Sequence, residues 1–131
     1  MSCKSKGING ERDLVHQFWG LGLACHRIAG SGSTKYPSPD LIVGNRIRRL
    51  AIECKLTKDN KKYFTREEIE ALKEFSRIFG AEPWIAVKFK SSDWVFLTLE
   101  DLNKTNRSYI ADINMAKTRG LLINELISQN Y

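Results

Sequence analysis

Pro39-Asp40-Leu41-Ile42-Val43-Gly44-Asn45-Arg46, followed by Leu50-Ala51-Ile52-Glu53-Cys54-Lys55-Leu56, is the stretch that decides the fold. Two apolar runs flank the turn-forming Gly44-Asn45-Arg46, which is the pattern of an antiparallel hairpin with a short loop. Side chains alternate faces along a strand, so Leu50, Ile52, Cys54 and Leu56 share one face while Ala51, Glu53 and Lys55 share the other. The first set is a core face. The second puts a carboxylate and an ammonium side by side in a strand whose hydrophobicity marks it as central, where charges need a reason. The hairpin brings Asp40 opposite or nearly opposite Glu53, making an acidic pair with a lysine alongside.

Outward from this hairpin, Ile8, Leu14, Val15, Phe18 and Trp19 recur at helical spacing and predict a helix over Gly7 to Gly20. Leu23 to Ile28 reads as a strand, and Ala29 to Ser38, rich in Gly, Ser and Pro, as a flexible loop. Thr65 and Glu68 form a capping box, Phe64 and Ile69 a hydrophobic staple, so a second helix starts at Thr65. It runs to Phe79, where Gly80 supplies a left-handed stop. Trp84 to Phe89 and Trp94 to Leu99 are expected strands, and Leu121 to Gln129 a last helix. The order predicts an α/β fold: a mixed β-sheet flanked by α-helices, in one domain spanning residues 1–131.

Two carboxylates converging on one point repel unless a cation lies between them, and hard oxygen ligands suit Mg²⁺, with Mn²⁺ as a substitute. The Cys54 backbone carbonyl is a further candidate ligand. A metal held there can acidify water and neutralise charge on a phosphate oxygen, while the Lys55 ammonium orients that water or stabilises the transition state. This is the chemistry of phosphodiester hydrolysis. A plainer reading of the same residues is a partly exposed salt bridge between Glu53 and Lys55, with Asp40 a turn residue after Pro39. Glu11 lies on the stripe of Ile8, Val15 and Phe18, facing the sheet, where a third acid near the metal would explain it. A first-turn acid complementing the helix dipole would explain it equally. Arg27 and the Gly/Ser loop are suited to gripping phosphates, or form a loop without function. His16 and His26 are lone histidines beside apolar positions and receive no role.

Composition agrees with an anionic partner: 21 Lys+Arg against 15 Asp+Glu leave a net charge of +6. With 42% hydrophobic and 27% charged residues the chain is ordinarily globular, and it has no apolar run long enough to span a bilayer. Met1 to Lys6 lacks the apolar core of a secretory signal, so a cytoplasmic protein with no membrane partner and no small-molecule cofactor is expected. Cys3, Cys25 and Cys54 show no CxxC spacing and read as reduced thiols rather than a disulfide or zinc framework.

Lys6-Gly7, Glu11-Arg12, Arg27, Gly30-Ser31-Gly32-Ser33, Pro39-Asp40 and Glu53-Cys54-Lys55 together resemble the archaeal Holliday junction resolvase family, within the PD-(D/E)xK nucleases. Glu74 to Gly80 and Ala86 to Phe89 are similar to it as well, so the likeness runs from about Lys6 to Leu99. Membership would imply a restriction-endonuclease-like fold, a homodimer, Mg²⁺ dependence and paired nicking of four-way DNA junctions in recombination and repair. By that resemblance Glu11, Asp40 and Glu53 would be metal-linked acids, Lys55 the catalytic lysine and Ser31 a loop serine needed for cutting. Arg12 and Arg27 would lie near the scissile phosphate, with Ser33 and Lys35 joining them in DNA binding, and Phe75 and Phe79 would belong to the dimer. Cys54 stands where an aliphatic residue is usual between the acid and the lysine, and the segment after Leu99 matches poorly.

The helix from Thr65 to Phe79 supports a dimer independently. Ile69, Ala71, Leu72, Phe75, Ile78 and Phe79 cover nearly half its circumference, wider than the ~100° stripe that packing on one sheet demands. A monomer with that stripe covered by the C-terminal segment is the alternative. Two competing functions remain open at this level: a restriction-like nuclease acting on other branched DNA, and a non-catalytic module binding branched nucleic acid by shape and phosphates.

Overall fold

The computed structural model describes residues 3–128. Its hairpin is the one expected: β2 (Leu41–Gly44) pairs antiparallel with β3 (Arg49–Leu56) in the register Leu41 to Ile52 and Val43 to Leu50. The connecting turn is closed by the Asn45 side-chain oxygen, which accepts the N–H groups of Ile47 and Arg48 at 2.8 Å. β1 (Ala24–Arg27) adds antiparallel to β2 at the sheet edge. β5 (Glu82–Lys88) pairs parallel with β3, and β6 (Trp94–Leu97) antiparallel with β5. The five-stranded order β1-β2-β3-β5-β6 therefore places β3 in the middle, as its hydrophobicity requires.

Alternation along β3 divides the core in two. Leu50, Ile52 and Cys54 pack with Leu14 and Phe18 of α1 (Cys3–Gly20), which begins before the expected Gly7. Gly10 allows the close approach, since a Cβ there would sit 3.1 Å from the Trp94 ring. Ala51 packs on the opposite face with Ile69 and Leu72 of α2 (Arg66–Phe79). This helix carries the expected capping box, staple residues Phe64 and Ile69 that are both fully buried, and Gly80 at φ 78°.

The chain also builds what periodicity did not predict. β4 (Lys61–Thr65), β7 (Asn103–Lys104) and β8 (Ser108–Asp112) form a second, three-stranded sheet in the order β4-β8-β7. α3 (Ile113–Arg119) follows, capped by Asp112, which accepts the N–H of Asn114 at 2.8 Å. The final helix is α4 (Ile123–Ser128), shorter than expected, and Gln129 lies outside the described residues. The loop expected to be flexible contains a 3₁₀ turn, Ser31–Ser33, and the expected strand end at Leu99 is another, Leu99–Asp101. Among the described residues no helix is long and apolar enough to cross a membrane.

Candidate active site

Asp40 stands one residue before β2, and its backbone is pinned on both sides. Its N–H donates to the Ile52 carbonyl at 3.0 Å and its carbonyl accepts the Ile28 N–H at 2.9 Å. The regular ladder ends at the Leu41–Ile52 pair, and just beyond it the side chains of Asp40 and Glu53 line the same cleft, close enough for the Asp40 carboxylate to act on Glu53. Both Asp40 oxygens are engaged: Oδ1 accepts the Ser31 hydroxyl at 2.6 Å and Oδ2 accepts the Cys54 N–H at 2.8 Å. The Cys54 carbonyl leaves the extended strand on the same side as that N–H, while its thiol lies in the core beside α1. Burial pushes the Cys25 thiol up to about 12 and that of Cys54 well above its ordinary value, so neither is a nucleophile.

Glu53 is pushed up to about 8, first by burial and then by the negative charge of Asp40, with Lys55 opposing. Two carboxylates this close resist joint ionisation unless positive charge enters between them. Glu11 rises to about 7, again through burial first and Asp40 second, against the pull of Arg27. Its carboxylate is 3.7 Å from the Arg27 guanidinium at the end of β1. Among the described residues no three His, Cys, Asp or Glu side chains close into a metal cage. Glu11 is thus paired with Arg27 while still feeling the charge of Asp40. The donors nevertheless suit Mg²⁺, which takes one or two carboxylates, keeps several waters and fills its remaining positions from substrate phosphate.

Lys55 lies on the Glu53 face, yet its close partner is elsewhere. Its ammonium is 2.9 Å from the Glu68 carboxylate and 4.0 Å from Glu53, so the same-strand salt bridge is present but longer, and the shorter contact is to α2. Burial alone would lower the Lys55 ammonium; the hydrogen bond and charge of Glu68, with Glu53 and Asp40 behind it, raise it above its ordinary value. Glu68 was legible only as the second half of the capping box. What escaped sequence reasoning is β4, which delivers the start of α2 to the cleft.

These groups line one cleft of about 440 Å³, where Ser31, Asp40, Glu53, Lys55 and Glu68 meet Lys35 and Tyr36 of the loop. Arg12, Ser33 and Lys35 are exposed, and Arg27 is half-buried. The Lys35 ammonium lies 5.4 Å from the centre of the Tyr36 ring. His16 and His26 are exposed. Phe75 is half-buried with its ring 5.3 Å from that of Phe79, which is 46% exposed; Ile78 is 70% exposed. The wide apolar stripe therefore resolves into a buried part, Ile69 and Leu72, and an uncovered end. The helix position buried beyond expectation is Ser76.

The chain as a whole resembles known proteins. The family model of the archaeal Holliday junction resolvases (Hjc) matches residues 2–130. The Archaeoglobus fulgidus crossover junction endodeoxyribonuclease Hjc is 40% identical over 83% of this chain and 80% of its own length. The Sulfolobus acidocaldarius protein of the same name is 35% identical over 97% of this chain and 90% of its own. The solved structure of Archaeoglobus fulgidus Hjc, a Holliday junction resolvase from an archaeal hyperthermophile, superposes with a TM-score of 0.86 at 35% identity, covering 96% of this chain and 98% of that one. That match extends past Leu99, so the C-terminal segment, poorly matched by motif, belongs to the same restriction-endonuclease-like fold. The chain is a member of the archaeal Holliday junction resolvase (Hjc) family.

Proposed function

We propose that this chain is a crossover junction endodeoxyribonuclease that resolves four-way DNA junctions with Mg²⁺ or Mn²⁺, acting as a homodimer. The observation that carries the reading is the convergence of Asp40, Glu53 and Lys55 on one cleft beside the Ser31 turn. Asp40, Glu53 and the Cys54 carbonyl would hold the cation, with Glu11 completing the acidic rim. When bound, the metal supplies positive charge against the phosphate and acidifies water.

The chain's own groups do the rest. Ser31 and the Cys54 N–H aim the two Asp40 oxygens, fixing the acid while the backbone phosphate is seated. Lys55 places a fixed ammonium where negative charge develops in the transition state. Arg12, Arg27, Ser33 and Lys35 grip phosphates around the cleft, a role that the net charge of +6 favours. The uncovered end of α2 offers Ile78 and Phe79 to a second copy.

The test is incubation with a synthetic four-way junction and a matched linear duplex, with and without Mg²⁺. Paired, metal-dependent cutting of the junction alone is expected. Equal cutting of the duplex would favour a restriction-like nuclease of broader target, and metal-independent binding without cutting a non-catalytic module.

A further inference from the structure

We propose that Glu68 is the positioning residue for Lys55, holding its ammonium over the cleft and away from Glu53. The inference rests on the reading of Lys55 as the catalytic lysine. Glu68 divides its carboxylate between two tasks: Oε1 accepts the Thr65 N–H at 3.0 Å, and Oε2 meets the Lys55 ammonium at 2.9 Å. The first contact belongs to the capping box, completed by the Glu68 N–H donating to the Thr65 hydroxyl at 3.0 Å. That box fixes the carboxylate on the first turn of a packed helix, so the second oxygen is a rigid post for a long, flexible side chain.

Capping alone does not need a charge. Gln serves at this helix position as well as Glu, because one carbonyl oxygen suffices for the N–H. The charge is used on Lys55. Without it the nearest carboxylate to that ammonium is Glu53, now 4.0 Å away, and Lys55 would settle there. An ammonium on Glu53 would displace the lysine from the phosphate and compete with a cation for the same oxygens. Glu68 therefore acts on two properties together, the placement of Lys55 and the availability of Glu53.

The experiment compares full-length wild type, Glu68→Gln, Glu68→Asp, Thr65→Ala and Lys55→Ala on a four-way junction, measuring single-turnover cutting, junction affinity, Mg²⁺ titration and thermal melting. Glu68→Gln is expected to keep the melting temperature and junction affinity while cutting roughly 10–100-fold slower and needing more Mg²⁺ for half-maximal rate. Glu68→Asp, which keeps the charge at shorter reach, should fall between the two, and it decides the matter if the Gln protein fails to fold. Thr65→Ala loses the hydroxyl but keeps the backbone N–H that holds Oε1, so it should melt lower while cutting near the wild-type rate, separating capping from positioning. Wild-type rate and Mg²⁺ dependence in Glu68→Gln, with Lys55→Ala inactive, would overturn the proposal alone. Normal cutting by Lys55→Ala would overturn the catalytic reading of Lys55, and the proposal with it.

Discussion

Asp40, one residue before the Leu41–Ile52 pair that ends the hairpin ladder, sets its carboxylate beside Glu53 in one cleft and accepts the Cys54 N–H at 2.8 Å. The acid is therefore tied to β3 as well as part of the cleft. Asp40→Asn can keep this geometry: its amide oxygen can accept the Cys54 N–H while its NH₂ donates to the Ser31 hydroxyl, which rotates to accept. The expected outcome is a folded protein with junction affinity intact and cutting slower by roughly 100-fold or more, the scale of losing a well-placed electrostatic group. Glu53→Gln should behave alike. Junction binding and single-turnover cutting, measured side by side, check this; undiminished nicking by either variant would remove the basis of the site.

The same pair predicts a pH dependence for the metal-free fold. Glu53 titrates at about 8 and Glu11 at about 7 in the folded chain, both raised by burial and by Asp40 from an ordinary 4.5. The unfolded chain releases these protons near 4.5, so between there and about 8 it binds fewer protons than the folded chain. Stability must fall as pH rises through that window and level off above it. In chelator, the wild-type melting temperature should drop from pH 5 to pH 8.5, while Glu53→Gln gives a flatter curve lying above wild type at the alkaline end. Parallel curves for the two proteins would contradict the coupling.

This pair was legible because alternation and a tight hairpin are short-range rules: Asp40, Glu53 and Lys55 fall on one face by counting. α2 was legible for the same reason, its cap and staple lying within six residues, Phe64 to Ile69. The second sheet was not. β7 has two residues and β8 five, and Tyr63 of β4 is exposed where alternation would help to identify the strand. Such strands are fixed by their partners, and pairings such as Phe64 with Tyr109 join residues far apart in sequence. The Lys55–Glu68 contact went unread on that account, since it depends on where β4 delivers α2.

Arg48 is 8% exposed and joins three parts of the fold. Its guanidinium makes two hydrogen bonds of 2.9 Å to Glu82 of β5 and one of 2.7 Å to the Leu126 carbonyl of α4. Removing the carboxylate takes two charge-assisted hydrogen bonds from Arg48, so Glu82→Ala should cost about 2–3 kcal/mol, less than a fully buried pair because Glu82 is 31% exposed. Trp84 loses its indole acceptor in the same variant. Urea unfolding checks the magnitude, and a loss below about 1 kcal/mol, typical of surface pairs, would mark this bridge as ornamental.

The uncovered end of α2 predicts the oligomeric state. Phe79 lines an apolar groove with Trp19, Ala24, Ile42 and Val43, beside the edge strand β1. An isologous dimer would cover that groove in both copies and set two identical clefts about a two-fold axis, each cut using its own Asp40, Glu53 and Lys55. The two aromatics should respond differently. Phe75 is half-buried against the core of α2 and β5, so Phe75→Asp damages fold and assembly together. Phe79 is 46% exposed, so Phe79→Asp should leave the melting of the isolated chain nearly unchanged while weakening association. Sedimentation at micromolar protein is expected to report twice the 15.0 kDa chain mass for wild type and a shift toward the single chain for Phe79→Asp. On junction DNA that variant should lose the coordinated pair of nicks before it loses nicking itself, because each cleft remains intact. A wild-type chain that sediments as a monomer, both free and on DNA, would leave paired cutting without a symmetric machine to perform it.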